Sequence, residues 1–245
     1  MPCEMPALRG RPAPSFLGRP PIFPAASLET VFRCRRLVPL MRFRWAAIVP
    51  IVACLGLLLV APFHAVAYFS TPDGADSATA PLARVYAPAL REELPGAFGF
   101  GEPHDVYVAY GRVTSVLIAA FALGLLPLRE AHAPLTTRLQ RWGFGLAIFG
   151  NTFVGLGAIV EYYTPFLDLA FVALALPGLL STIVGYTVLG AALVRTRVVP
   201  RALAWLFAVS GPSIIALTAL LGHIPFGFSL FGLTWLWAGV WLLRR

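Results

Sequence analysis

Six long runs of apolar residues constrain this chain more than any other feature of its sequence. About 20 mostly apolar residues are the length that a helix needs to cross a bilayer, where backbone polar groups find no water and must bond one another. The runs lie at about 45–68, 107–128, 142–162, 168–194, 202–221 and 224–243. Only 12% of the 245 residues are charged, against about 25% in soluble domains. We therefore predict an all-α bundle of six transmembrane helices in a lipid bilayer.

The charged residues alternate between the connections that join these runs. Arginines cluster before the first run, after the second, after the fourth and at the chain end, whereas most acids follow the first and the third. Since cytoplasmic loops are enriched in basic residues, we predict an N-in, C-in protein of the cytoplasmic membrane with one long external loop at about 69–106. This pattern accounts for the net charge of +8 without nucleic acid as a partner.

The first 40 residues are rich in Pro and Arg and lack a periodic apolar pattern, which is typical of disorder. We predict a disordered segment at 1–40 and one transmembrane domain at 41–245. Translation from Met41 is an alternative, because a basic start and an apolar run follow it directly. The sequence from Ala65 to Ala67 has the form of a signal-peptidase site. However, the run before it exceeds the roughly 7–15 residues of a signal core, which favours a retained helix over cleavage after Ala67.

Arg112 is a charge inside the second run. It shares a helix face with Ser115 and Ala119, and small residues mark faces that pack against other helices. The same reasoning turns Glu161 inward in the third run, on a stripe of small residues, and Asp168 inward in the fourth. All three charges lie at one predicted depth, so we hypothesise an ion pair of Arg112 with Glu161 or Asp168. An arginine that snorkels to the lipid headgroups is the alternative.

Further polar residues near this depth suggest an outward-facing pocket. His64, Tyr110 and Tyr162 could complete it, together with Tyr68. Such a cluster can be a structural clamp between helices, a binding pocket or, least expected, a catalytic site. Asn151, near the middle of the third run, is interpreted as an interhelical hydrogen-bonding residue rather than a ligand contact.

Two proline–glycine pairs predict helix kinks. They are Pro177 with Gly178 in the fourth run and Gly211 with Pro212 in the fifth. Proline removes a backbone donor and crowds the carbonyl one turn earlier. Kinks of this kind serve as moving parts in transporters, but they also occur in bundles that do not move.

The histidines and cysteines give no metal or redox motif. There is no HExxH sequence, no CxxC sequence and no pair of histidines four residues apart, so we predict no metal and no cofactor. A site formed by His64, His104 and His223 with Glu161 is the alternative, because all four are predicted on one side of the membrane.

The C-terminal half contains the turn sequence VRTRVVPRALAW, a Gly-Pro pair and a closing helix rich in Trp and Gly. In these features residues 107–245 resemble a family of uncharacterised multi-pass membrane proteins of high-GC bacteria, and the use of arginine without lysine fits such a genome. The resemblance implies about six spans and brings no catalytic residues.

Three functions remain open from the sequence. The leading hypothesis is a non-enzymatic regulatory, accessory or structural membrane component that acts through a membrane-protein partner or as a homo-oligomer. The alternative is a small permease or ligand-binding protein that uses Arg112, Glu161 and Asp168. An intramembrane hydrolase is the third hypothesis.

Overall fold

The structure is a computed structural model that describes residues 44–93, 101–132 and 137–244. The predicted disordered segment and the possible start at Met41 lie outside these residues. The described residues form helices and connections without any strand. The helices are α1 (Arg44–Phe69), α2 (Ala83–Glu93), α3 (Pro103–His132), α4 (Arg138–Tyr163), α5 (Leu167–Ala170), a π-helical segment (Phe171–Ala175), α6 (Leu176–Thr196), α7 (Arg201–Leu221) and α8 (Ile224–Leu243), with a short 3-10 turn at Ser77–Thr79.

Six helical spans are long and apolar enough to cross a membrane, which confirms the predicted all-α, six-helix fold. They are Trp45–Phe69, Pro103–Ala131, Arg138–Tyr163, Phe171–Thr196, Arg201–Leu221 and Ile224–Leu243. Large apolar side chains such as Leu59, Leu169 and Val172 are exposed on their outer surfaces. A surface of this kind is suited to lipid, so the fold supports a multi-pass membrane protein.

The six spans form a closed ring in chain order. Each span packs against the next, and α8 returns to pack against α1, as expected where short connections join antiparallel neighbours. One end of the ring contains the last residues of α1, α4 and α7 and the first residues of α3 and α8. Residues 70–93 fold over this end, which we call the capped end.

Three glycines bring α4 into close contact with the fourth span. Gly143, Gly150 and Gly157 are seven residues apart, which is two helical turns. A Cβ atom added to them would lie 2.7, 2.4 and 2.6 Å from backbone nitrogens of the fourth span, too close for any side chain. This contact confirms the prediction that the small-residue stripe of the third run faces protein.

A hydrogen-bonded network joins three helices in the middle of the bundle. The Asn151 amide nitrogen donates to the Tyr186 hydroxyl oxygen at 2.6 Å, and the Trp235 indole N–H donates to the same oxygen at 3.0 Å. All three residues are buried. The network confirms the interhelical role predicted for Asn151.

Helix α2 fastens the cap to the bundle. Its buried Ala83 and Ala87 pack with Phe69 of α1. The Tyr86 hydroxyl donates to the backbone carbonyl of Leu221 at 2.5 Å. The backbone N–H of Leu82 donates to the backbone carbonyl of Leu220 at 2.8 Å. The connection that the sequence predicts as a long loop at about 69–106 therefore contains a helix.

The two proline–glycine pairs lie in different surroundings. Pro177 follows the π-helical segment, whose wider turn accommodates a residue that cannot donate a backbone hydrogen bond. Gly211 and Pro212 lie inside the uninterrupted helix α7, and a Cβ on Gly211 would lie 2.7 Å from the Ile183 carbonyl oxygen. Gly211 therefore serves close packing, and a bend at either pair stays a prediction.

Candidate functional site

A cavity of about 500 Å³ lies at the capped end of the bundle. Its lining comes from all six spans and from the cap, and cavities of this size are typical of small-molecule sites. Polar and aromatic side chains make up much of this lining. They are His64, Tyr68, Thr71, Asp73, Ser77, His104, Tyr107, Thr114, Ser115, Glu161, Tyr162, Phe171, Thr218, His223 and Phe228.

Two buried histidines form the inner part of the lining. His64 of α1 is 0% exposed and His223, between α7 and α8, is 5% exposed. Their rings meet edge to face, with centroids 4.7 Å apart. The Nδ1 atom of His64 lies 3.4 Å from the Thr114 hydroxyl oxygen. Neither Nε2 atom has a hydrogen-bond partner within the described part of the chain.

The surroundings of His223 keep its ring uncharged. Burial lowers its pKa well below the ordinary value, and the neighbouring His64 lowers the pKa further. A neutral imidazole has one nitrogen that donates and one that accepts a hydrogen bond. The two histidines therefore offer the cavity directional polar atoms without a positive charge on His223.

Tyrosine rings surround the histidine pair. Tyr107 stacks on His64 with centroids 4.9 Å apart, and Tyr68 stacks on His223 at the same distance. Tyr162 meets His64 edge to face at 5.6 Å, and its hydroxyl oxygen lies 2.8 Å from that of Tyr107. These contacts hold the rings as one wall of the cavity.

Two glycines allow this arrangement. A Cβ on Gly111 of α3 would lie 2.1 Å from the Tyr162 ring, so only glycine lets that ring reach the cavity. Gly222 ends α7 with a φ of +73°, a left-handed conformation that favours glycine, and a Cβ there would lie 2.3 Å from the Ser77 carbonyl oxygen. This turn places His223 beneath the cap.

The structure brings only part of the predicted cluster together. His64, Glu161 and Tyr162 line the cavity. Tyr110 stacks on Phe63, with centroids 5.8 Å apart, and is not among the described lining residues. The side chain of Asp168 lies outside the described residues.

The prediction that Arg112 faces protein was wrong, since its side chain is exposed. Its Nε atom donates to the backbone carbonyl of Tyr162 at 3.1 Å, and its guanidinium lies 5.5 Å from the centre of the Tyr163 ring. The buried face of α3 contains Ile118 and Leu125, and Arg112 lies about 120° around the helix from Ile118. The ion pair with Glu161 or Asp168 stays a prediction.

Sequence reasoning missed most of the histidine site. It considered His223 only as a metal ligand, and it did not single out Thr218, whose buried hydroxyl also lacks a partner in the described residues. The alternative metal site of His64, His104 and His223 with Glu161 is brought together in one lining. However, across the described ranges no three His, Cys, Asp or Glu side chains are grouped closely enough to hold a metal ion.

No family model, curated protein or solved structure matches this chain. The resemblance of residues 107–245 to a membrane-protein family therefore stays a prediction. Function is inferred from the cavity.

Proposed function

We propose that this protein binds a small molecule in the cavity at the capped end, as a membrane receptor or a small permease. The observation that carries the proposal is the pair of buried Nε2 atoms of His64 and His223 without protein partners beside this cavity. Each buried polar atom left unpartnered costs about 1–3 kcal/mol. A ligand that hydrogen-bonds both atoms recovers this free energy on binding.

We propose the site at His64 and His223 rather than at Arg112. Ligand binding, which was the alternative from the sequence, becomes the favoured function because a cavity of suitable size exists. The π-helical segment also supports it, since Phe171 and Ala175 of that segment line the cavity and such segments are frequent at functional sites. The regulatory, accessory or structural role and the hydrolase stay predictions.

The cavity is proposed to face the outside of the cytoplasmic membrane, with both termini in the cytoplasm. Seven described arginines of the inter-span connections and of the C-terminus lie at the end opposite the cap, whereas Arg84 and Arg91 lie in the cap itself. The seven are Arg129, Arg138, Arg141, Arg195, Arg197, Arg201 and Arg244. Basic residues favour the cytoplasmic side.

Single cysteines at Thr79 and Thr137, in a background with Cys3, Cys34 and Cys54 replaced, test this orientation. A membrane-impermeant thiol reagent applied to intact cells should label position 79 alone. Labelling of position 137 alone would show that the protein has the opposite orientation in the membrane.

Ligand binding is tested by the thermal stability of the detergent-solubilised protein in the presence of sugars, amino acids, amines, carboxylic acids and nucleosides. We expect at least one class to raise the Tm by several degrees, because a ligand at 100 times its Kd stabilises the folded state by about 2.7 kcal/mol. The shift should be lost in His64→Phe, which removes the polar nitrogens and retains a ring.

A second variant controls for indirect effects of the histidine change. Ala158 lines the cavity and is buried, so Ala158→Leu reduces the volume without touching the histidines. We expect the shift to be lost here too. If no compound class shifts the wild-type protein, or if both variants respond as the wild type does, the proposed function is wrong.

A further inference from the structure

The described lining of the cavity contains two acids and no arginine. The acids are Asp73 of the cap and Glu161 at the end of α4, and His104 also contributes to the lining. Burial lowers the pKa of His223 and keeps it neutral. Arg112 donates to the backbone carbonyl of Tyr162, lies over the Tyr163 ring and is not among the described lining residues. A positively charged ligand therefore meets opposite charge in this cavity, whereas an anion meets like charge.

The aromatic rings of the lining favour a particular kind of cation. Tyr68 and Tyr107 lie with centroids 5.3 Å apart and planes tilted by 38°, and Tyr107 and Tyr162 lie 5.6 Å apart at 71°. Rings this close contact one another, so they form one continuous aromatic wall of the cavity. The negative potential over aromatic faces attracts organic ammonium groups, and aromatic side chains are a common means of recognising them.

The acids and the rings belong to the same part of the cavity. The Tyr107 hydroxyl interacts electrostatically with Glu161 and with Asp73. The Tyr68 hydroxyl donates to the backbone carbonyl of Asp73 at 3.4 Å, so the segment that holds this carboxylate is in contact with the ring of Tyr68. An ammonium group against these rings is therefore close to both sources of negative charge. The unpartnered Nε2 atoms of His64 and His223 lie beside the same rings.

We infer that the cavity takes an organic cation, namely an amine or a quaternary ammonium compound that also carries a hydrogen-bonding group. The ammonium lies against the wall that Tyr68, Tyr107 and Tyr162 form, and the polar group reaches His64 and His223. This inference rests on the proposed ligand-binding function and adds the chemical class of the ligand.

The test compares molecules that differ in charge and hardly in shape. Choline is paired with 3,3-dimethylbutan-1-ol, in which carbon replaces the charged nitrogen, and protonated butylamine is compared with butanol and butyrate. Affinities of the purified full-length protein are measured by isothermal titration or by the ligand dependence of the Tm. We expect each cation to bind at least roughly tenfold more tightly than its uncharged counterpart, and butyrate to bind least.

Matched variants locate the ammonium group. Asp73→Asn should weaken choline binding several-fold, whereas Asp76→Asn should not, because Asp76 is an exposed acid of the same cap outside the described lining. Tyr107→Phe keeps the ring and should retain the charge preference, whereas Tyr107→Leu should lose it. If Tyr107→Leu does not fold, the aspartate pair still decides the location.

The outcomes separate this inference from the function on which it rests. Equal affinity for cations and their uncharged counterparts, or tighter binding of butyrate, overturns the inference. If only sugars, acids or nucleosides bind, ligand binding stands and the cation inference is wrong. If nothing binds in either experiment, both are wrong.

Discussion

Two buried polar clusters of this protein differ in how their hydrogen bonds are satisfied. In the middle of the bundle, Asn151 and Trp235 both donate to the Tyr186 hydroxyl. At the capped end, His64 and His223 are equally buried, yet each keeps an Nε2 atom without a partner in the described chain. Protein interiors normally pair their polar atoms. The middle cluster therefore serves the fold, and the capped end is where we propose that a ligand binds.

The helices also pack more closely around the middle cluster than around the capped end. Where α4 meets the fourth span, glycines bring the two backbones together, whereas the capped end encloses a cavity of about 500 Å³. Thr182 is an exception to the pattern of hydrogen bonds, because its buried hydroxyl at the glycine contact has no partner in the described residues. There the backbone of α4 is too close to Thr182 for a ligand to lie between them.

The largest effect is expected at the glycine contact. In Gly150→Ala the new methyl group would lie 2.4 Å from the Thr182 backbone nitrogen, so the two helices must separate. Overpacking typically costs about 1–3 kcal/mol, and a backbone contact cannot relax as a side chain can. We expect a loss of folded protein or a large fall in Tm, measured by fluorescence-detected size exclusion in detergent.

Gly145 provides the matched control on the same helix. A Cβ there meets nothing within 4 Å, so Gly145→Ala should behave as the wild type. Wild-type stability in Gly150→Ala, or equal losses in the two variants, would contradict the close contact.

The second largest loss of stability is expected in the hydrogen-bonded network in the middle of the bundle. Tyr186→Phe removes the oxygen that accepts from Asn151 and Trp235 and leaves both donors buried without a partner, which should cost about 2 kcal/mol. Asn151→Leu should cost less. Because the two residues share a hydrogen bond, the double variant should lose less stability than the sum of the single losses. Additive losses in chemical denaturation would show that the bond contributes nothing.

The capped end should make stability depend on pH. The pKa of His223 is lowered in the folded protein, so the unfolded chain binds more protons below the ordinary value of about 6.5. Stability is therefore complete above pH 6.5 and falls as the pH drops below it, by up to about 1.4 kcal/mol per unit.

His223→Phe should flatten this slope between pH 6.5 and 5. Asp73 and Glu161 also face the cavity, and both proteins in the comparison retain them. His64 is present in both proteins, so the difference between their slopes reports on His223. Identical pH profiles for the two proteins would contradict the buried, neutral histidine.

The smallest effect on stability is expected at His64. His64→Phe keeps a ring against Tyr107 and removes both nitrogens: Nε2, which has no partner in the described residues, and Nδ1, which lies 3.4 Å from the Thr114 hydroxyl. The loss of this long contact offsets the gain from removing Nε2, so the ligand-free protein should keep its Tm. A fall as large as that of Tyr186→Phe would assign His64 to the fold, and the distinction between the two clusters would be lost.

The sequence was sufficient for the spans, the glycine stripe and the interhelical role of Asn151, because helix length, apolarity and seven-residue spacing are local properties. It did not predict the exposure of the Arg112 side chain, because the small residues Ser115, Ala119 and Ala122 lie at the edge of the buried face of α3 and not at its centre. It could not place His223 against His64, because that contact joins the first span to the turn at Gly222. Only the ring closure of α8 onto α1 brings them together.

An experimental structure of the protein purified from its native membrane tests the central claim most directly. We predict density for a small molecule in the cavity, within hydrogen-bond distance of Nε2 of both His64 and His223 and beside the tyrosine rings. A closed cavity in which protein side chains bond both Nε2 atoms would contradict the account.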